Sequence, residues 1–457
     1  MNGATIPPVS LCAKKYKAKH VPSLTQKIWG DIRAAVKDST LFGVAIDAGV
    51  IRIHHRHVLA SVLYVDGKSW TLPLIYNKDA GPFNGKTQAT HLWDMLQQNL
   101  ETAQACKLSY VIIDGCGTNP VMANQLNAEI GSTIAEVGSI GEHDWDHIIA
   151  TLIERAERII IKIPCLGHFL HNVAKSALLP YWEGSAKTTV FGGCTRWITD
   201  MFDSVAYIKT HLRAIMLYVA ESTKHSEVSE SMVQLGKVLL QHKTEEIIAA
   251  ADKFLEEGKF FRDCLQKFSN KTDKVCIADA QDTMDDLWEH CRNRPEYQRA
   301  YEHHMDRVAK KDGCHMEYFT IVRWLDPKYL TLTKERPPLN IFHGLFRSEK
   351  IDFLESDVQH FFATTDFFVH DGNSQPQIEN HTALKWWLHY GQRKFPRMAR
   401  SAIAFLTPPA VVNECDSFFS VMDASFTSRQ ARLGTDTVRN ILFIARNMPE
   451  ISYHDDL

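Results

Sequence analysis

The sequence lacks several features that would settle a class at once. Its ten cysteines stand without paired spacing, so reduced thiols in cytosol or nucleus fit better than a disulfide framework. No apolar run is long enough to cross a bilayer, and membrane partners are not expected. Met1 to Pro8 has neither the basic nor the apolar half of a secretory signal. A basic excess is also missing: the formal net charge is −3. Nucleic-acid contact would therefore rest on local patches, because neutralising phosphates takes local cations. There is no P-loop, no dinucleotide-binding glycine fingerprint and no Gly-x-Ser-x-Gly elbow. No Cys/His finger precedes residue 40.

What is present is a globular composition, 45% hydrophobic and 23% charged over 457 residues. That length accommodates roughly two to four domains. Basic patches occur at Lys14, Lys15, Lys17, Lys19 and His20, and again at Arg393, Lys394, Arg397, Arg400, Arg429, Arg432, Arg439 and Arg446. Solvated faces give the same pattern, and for any single patch that reading is favoured.

Residues 1–22 read as an extended basic lead-in, followed by a helix over 23–37 with Leu24, Ile28, Ile32 and Val36 at i+4 spacing. The period then changes. Leu41–Ile46 reads as a buried strand ending at Asp47, His57–Val65 as a second, and Trp70–Tyr76 as a third, with Pro73 marking an edge or bulge. Asp66-Gly67 is a hairpin turn signal. A helix over Thr90–Thr102, a strand over Leu108–Ile113 ending at Asp114, a short helix over Met122–Ile130, a strand over Ile159–Ile163 and a helix over Leu166–Leu179 follow. An antiparallel meander followed by βαβ crossovers gives a mixed sheet with helices on both faces, the order of an RNase H-like α/β fold. After Trp197 the periodicity is helical, over Asp203–Val219, Met232–Gln241, Thr244–Glu257 and Thr283–Arg294. Val322–Leu330 reads as a connector, 366–382 as a polar loop, and Asp436–Met448 as a terminal helix. The expected organisation is a lead-in and helix over 1–40, a first core part over 41–200, a large all-α insertion over 201–380 and a second core part over 381–457.

Two acids end strands that are neighbours in such a sheet, Asp47 and Asp114. Carboxylates delivered to one edge can jointly hold Mg2+ or Mn2+, whose paired ions activate an attacking oxygen and stabilise a leaving one. Strand-end Asp residues are also ordinary turn formers. Cys165 and His168, with His171 beyond, have zinc-ligand character but no second pair at finger-like spacing. His168 is read instead as a histidine beside the acidic site. Two further groups, His143, Asp144 and His147, and His54, His55 and His57, read as surface or core histidines. Arg196-Trp197 can bind a phosphate and stack on an unpaired base, or simply pack. Near the C-terminus, Pro408 to Ser420 is an apolar run carrying Glu414 and Asp416. Burying an unpaired carboxylate there would be costly, so these acids either face solvent or point into a polar site.

An ordered set of residues then stands out: Trp386-Trp387, Phe395-Pro396, Ala399, Phe405-Leu406, Pro409, Cys415-Asp416-Ser417-Phe418-Phe419-Ser420, Arg429, Arg432-Leu433 and Asn447, with Leu325-Asp326-Pro327-Lys328-Tyr329, Cys165-x-x-His168 and Thr195-Arg196-Trp197 upstream. In this set the chain resembles the hAT superfamily of cut-and-paste DNA transposases, over roughly residues 20–448. The resemblance implies an RNase H-like core interrupted by a helical insertion, with metal-dependent cleavage and strand transfer at transposon ends. It implies catalytic and metal-binding acids at Asp47, Asp114 and Asp416, with Glu414 as the alternative third acid. DNA contacts would come from Arg196, Trp197, Arg429 and Arg432, and the C-terminal block would dimerise.

The departures are specific. An Asp stands at 416 where relatives carry Glu, and Asp47-Ala-Gly49 replaces Asp-x-Trp-Thr. Asp114-Gly-Cys-Gly-Thr-Asn119 replaces Asp-Asn-Ala-x-Asn. With no finger in the sequence, the expectation includes a truncated or domesticated copy. The alternative function is then a catalytically inactive nuclear protein that dimerises and binds DNA or protein. Both readings expect DNA and a second copy of the chain (homodimer or higher oligomer) as partners, and the nucleus as location.

Overall fold

The computed structural model describes residues 14–39, 41–51, 56–76, 83–114, 118–138, 160–178, 197–222, 242–269, 277–332, 358–364, 382–412, 414–415, 417–419, 422 and 434–448. Two compact units emerge, one of Met1–Cys165, Cys276–Gln281 and Asp312–Leu457, the other of Leu166–Val275 and Asp282–Lys311.

The first unit is built on a five-stranded mixed sheet of order β3-β2-β1-β4-β5. Its strands are β1 (Phe42–Ile51), β2 (Arg56–Val65), β3 (Lys68–Tyr76), β4 (Leu108–Ile113) and β5 (Ile161–Pro164). The first three form an antiparallel meander, while β4 and β5 join parallel to β1 and to each other. The β2–β3 turn is the expected Asp66-Gly67 pair, with φ of 45° and 81°. Positive φ at both central residues matches the right-handed twist of the strands it joins. Pro73 lies on β3, an edge strand, where its missing N–H costs no ladder bond. Side chains alternate across the sheet, yet Val44, Ala45, Ile46, Val62 and Leu63 are all fully buried. Both faces of the central strands are therefore covered, as a near-continuous apolar run demands.

Helices differ from sequence expectation mainly in extent. Helix α1 runs Lys14–Asp38 and contains Pro22. The extended lead-in expected to residue 22 is helical from Lys14, because a proline removes one ladder bond and need not end a helix. Beyond it Ile28, Ile32 and Val36 are buried, and Lys107 Nζ donates to the Val36, Lys37 and Ser39 carbonyls at 2.8 Å each. This cation satisfies carbonyls that the helix end leaves without partners. Helix α2 (Gly85–Asn99) is capped by the Asn84 side chain; the short α3 (Thr102–Ala105) follows. Helix α4 spans Thr118–Gly138, longer than expected at both ends. Its extension packs on α2, where the Trp93 indole donates to Thr133 Oγ1 at 3.3 Å and a Cβ on Gly85 would collide with the Thr118 carbonyl.

In the second unit lie α5 (Leu166–Leu178), α6 (Trp197–Ser222), α7 (Thr244–Ser269), most of α8 (Ala280–Arg292), α9 (Pro295–Asp306) and a π turn, Arg307–Lys311. Its core holds Phe254, Phe261, Leu287 and Tyr297, all fully buried. The helix expected over Met232–Gln241 lies outside the described residues.

The expected connector at 322–330 is instead two helices of the first unit, α10 (Glu317–Trp324) and α11 (Pro327–Leu332). Pro327 opens the second, where a missing N–H is tolerated, and Asp326 Oδ1 accepts the Lys328 amide at 2.9 Å. Further on, Ala383–Trp386, a π turn at Trp387–Gly391 and Gln392–Lys394 lead into α12 (Pro396–Leu406). The terminal helix α13 spans Thr435–Asn447, within a residue of expectation. The Trp387 indole donates to the Leu325 carbonyl at 2.7 Å, so two distant motifs meet in one buried bond.

Candidate functional site

Strand β1 carries the first candidate acid. Asp47 does not end it: the strand continues to Ile51 because antiparallel β2 keeps pairing, out to Ile51 opposite Arg56. The parallel ladder with β4 stops sooner, its last pair being Ile46 and Ile113. One residue further on each strand stand Asp47 and Asp114, at the same level of neighbouring strands. Adjacent strands lie about 4.8 Å apart, so the two backbone positions are neighbours across the sheet.

Asp47 is 8% exposed, and its Oδ1 accepts the Ala48 amide at 2.8 Å. Asp114 accepts from Asn119 Nδ2, in the first turn of α4. Asn119 is 1% exposed, and its sequence signal is its place at the end of Asp114-Gly-Cys-Gly-Thr-Asn119. The glycine-rich residues between them, 115–117, lie outside the described residues.

The C-terminal segment lies over this part of the sheet. Cys415 Sγ is 3.6 Å from the carbonyl of Ala60, the cross-strand partner of Asp47. The Phe419 ring covers Gly49, which shares the Asp47 face of β1 by the two-residue period. A Cβ at Gly49 would stand 2.5 Å from that ring. The aromatic of this site therefore comes from the C-terminal segment, where the strand itself offers only glycine.

Glu414 has a different place. Its carboxylate accepts from Tyr64 Oη and Ser69 Oγ, each at 3.2 Å. These two residues face each other across β2 and β3, and Tyr64 pairs with Gly43. Gly43 lies four residues from Asp47, roughly 13 Å along the strand. Burial, then the Glu414 charge, raises the Tyr64 phenol well above its usual value, so it stays a proton donor. The Arg446 guanidinium donates to Ser417 Oγ at 2.7 Å and to the Glu414 carbonyl at 3.4 Å, tying α13 to this segment.

Asp416 lies outside the described residues, as do Arg196, Arg429 and Arg432. Trp197 opens α6, with its side chain outside the described set. His168 lies on α5 in the second unit, half-buried, beside His171, whose pKa burial lowers to about 4. Cys165 is buried at the end of the first unit's β5, its amide bonded to the Ile113 carbonyl at 2.7 Å. His54, His55, His143, Asp144 and His147 lie outside the described residues; His57 stacks on Phe83 with centroids 4.6 Å apart. Among the described residues no group of three or more His, Cys, Asp or Glu is arranged to hold a metal ion.

Residues 365–448 match the family model for the hAT family C-terminal dimerisation region. Over these residues the chain is similar to hAT family transposases. Its dimerisation region contains the Trp386-Trp387 pair, α12, the Glu414–Phe419 segment laid on the sheet, and α13. That region supports self-association and a transposase-related function. A search of the curated proteins found no match to the sequence. No described helix is long and apolar enough to cross a membrane.

Proposed function

We propose that this hAT transposase-like protein cleaves and transfers DNA strands, using Asp47, Asp114 and Asp416 as its acids on an RNase H-like core. The observation carrying this reading is the register that puts Asp47 and Asp114 at one level of adjacent parallel strands, with Cys415 and Phe419 of the dimerisation region against Ala60 and Gly49 on the Asp47 side. The meander-then-crossover sheet supports the RNase H-like reading, and the described helices of the second unit, α5 to α9, support a helical insertion within it. Asp416 is preferred to Glu414 because the Glu414 carboxylate is engaged with Tyr64 and Ser69, away from the pair.

Carboxylate oxygens suit the hard cations Mg2+ and Mn2+. Bound there, such ions would supply Lewis-acid stabilisation of phosphate oxygens. The chain's own residues set up the rest. Asn119 orients Asp114, the Ala48 amide orients Asp47, and Phe419 covers the strand beside them. His168, Arg196, Trp197, Arg429 and Arg432 remain candidates for DNA contact, and the protein would act in the nucleus.

The test is Mn2+-dependent nicking and joining of DNA carrying the element's ends, comparing wild type with D47N, D114N, D416N and E414Q. Loss in the three Asp variants and retention in E414Q is expected. Activity surviving D47N would sink the reading.

A second reading is a non-catalytic, transposase-derived protein that dimerises and binds DNA. The commitment of Glu414 to a structural bond, with only the shorter Asp at 416, favours it. Calorimetry with Mn2+ separates the two: heat lost in D47N supports catalysis, and no heat from a dimeric wild type supports the second reading.

A further inference from the structure

We propose that the basic ridge of His303, Arg307, Lys310 and Lys311, within the second unit, seats the phosphate backbone of duplex DNA. The inference rests on the reading of a DNA-acting protein and adds a binding surface that none of the sequence patches named.

Helix α9 runs straight into the π turn Arg307–Lys311. The four basic residues, with Asp306, line one open cleft of about 540 Å3. His303, Lys310 and Lys311 are exposed and Arg307 is half-buried. The opposite side of the same helical stretch is anchored, with Tyr297, Ala300, Tyr301, His304 and Val308 all buried. The cations thus stand on a fixed backbone. From His303 to Lys311 the helical rise is about 12 Å, or between three and four steps of a strand at about 3.4 Å each.

The charge distribution argues for one polyanion in one place. The chain as a whole is slightly acidic, so no general positive field would hold DNA here. Within the cleft Asp306 pairs with Lys310 at 3.0 Å, but both are largely exposed. Such a pair is weak and exchanges readily for a phosphate. Glu302 and Asp306 also line a neighbouring cleft with Trp288, Tyr301 and Met305. Its acids repel phosphate, Tyr301 is buried, and the half-buried Trp288 is packed against the Tyr301 ring with centroids 5.1 Å apart. A single strand stacking its bases on aromatics is therefore disfavoured, and a duplex gripped through its backbone is favoured.

The experiment is fluorescence anisotropy of a mixed-sequence duplex titrated with the full-length chain in EDTA, across a range of salt. Lys310→Glu with Lys311→Glu is expected to weaken binding roughly tenfold or more and to flatten the log K against log salt slope by about 0.9 for each phosphate no longer neutralised. Arg307→Ala should weaken it in the same direction. A control pair with the same charge change on the same unit, Lys259→Glu with Lys267→Glu, should leave affinity and slope near wild type. Thermal unfolding checks that each variant is folded. Unchanged slope in the ridge variant, equal weakening in the control pair, tighter binding of single-stranded DNA or an acidic polypeptide, or no duplex binding by wild type overturns the proposal. Because EDTA removes metal, failure of strand cleavage in D47N-type tests leaves this result untouched.

Discussion

The Asn447 carboxamide closes on the backbone of Thr71: its Oδ1 accepts the Thr71 amide and its Nδ2 donates to the Thr71 carbonyl, both at 2.7 Å. Thr71 sits on the edge strand β3 and is nearly buried. A side chain from the last turn of α13 thus mimics a neighbouring strand for one residue. It supplies the pairing that an edge strand would otherwise seek from another chain.

Asn447→Ala should leave two buried backbone groups without partners, at a cost of about 2–4 kcal/mol. Asn447→Asp retains the acceptor but loses the donor facing the Thr71 carbonyl, and should fall between. Urea denaturation measures both. A drop under 0.5 kcal/mol (about the scatter expected of surface changes) would show that the bond is not structural.

Gly49 and Phe419 should behave as a coupled pair. Gly49→Ala drives a Cβ into the ring and is expected to cost about 1–3 kcal/mol. Phe419→Leu alone removes covering surface and is also destabilising. The double variant should recover part of the sum, and a double-mutant cycle reads that coupling. Strict additivity would mean that the ring and strand do not touch in solution.

Tyr64→Phe removes one of two hydroxyl donors from the Glu414 carboxylate, with an expected loss of about 1–3 kcal/mol. Glu414→Gln retains the shape and much of the hydrogen bonding, so its loss should be smaller. Chemical denaturation of both variants, with E414Q tested for Mn2+ heat, distinguishes a structural glutamate from a metal ligand. If E414Q binds metal as wild type does, the structural role stands.

Stability should fall as solution is acidified from about pH 6.5 toward pH 4. Burial holds both His171 and His304 down at about 4 in the folded chain, against the usual 6.5. Over that window the unfolded chain binds protons that the folded chain refuses, so unfolding is favoured as pH drops, and the effect saturates below about 4. His304 also bonds Ser176 Oγ at 2.8 Å in its neutral form. Each histidine is worth roughly one to a few kcal/mol across the window. Unfolding free energies measured from pH 7 to 4.5 should flatten in H171Q and H304Q. Identical pH slopes in wild type and variants would contradict the burial of these rings.

Much of the architecture was written locally. The change from an i+4 apolar period to a short continuous apolar run marks the step from α1 to β1, the Asp66-Gly67 pair makes the β2–β3 turn, and β4 spans the six residues its β-branched and aromatic run indicates. Helix α13 likewise follows from one apolar stripe ending near Asn447. These features depend on neighbours in the chain, so periodicity and turn chemistry suffice to read them.

What the sequence left open was decided by partners far away in the chain. Whether Asp47 ended a strand depended on β2 continuing to pair after β4 had stopped. That the chain stays helical through Pro22, and that the 322–330 stretch forms one helix before Asp326 and another after it, was not legible from local pattern. The two acids of the Pro408–Ser420 run were indistinguishable by composition; register across β2 and β3 gave Glu414 to Tyr64 and Ser69. Asn447 read as the end of a helix until the edge of the sheet supplied its use. Hydrogen-bond register and face-to-face packing couple residues more than three hundred positions apart, as in Tyr64 and Glu414. No local pattern encodes that coupling; it exists only once the chain has closed on itself.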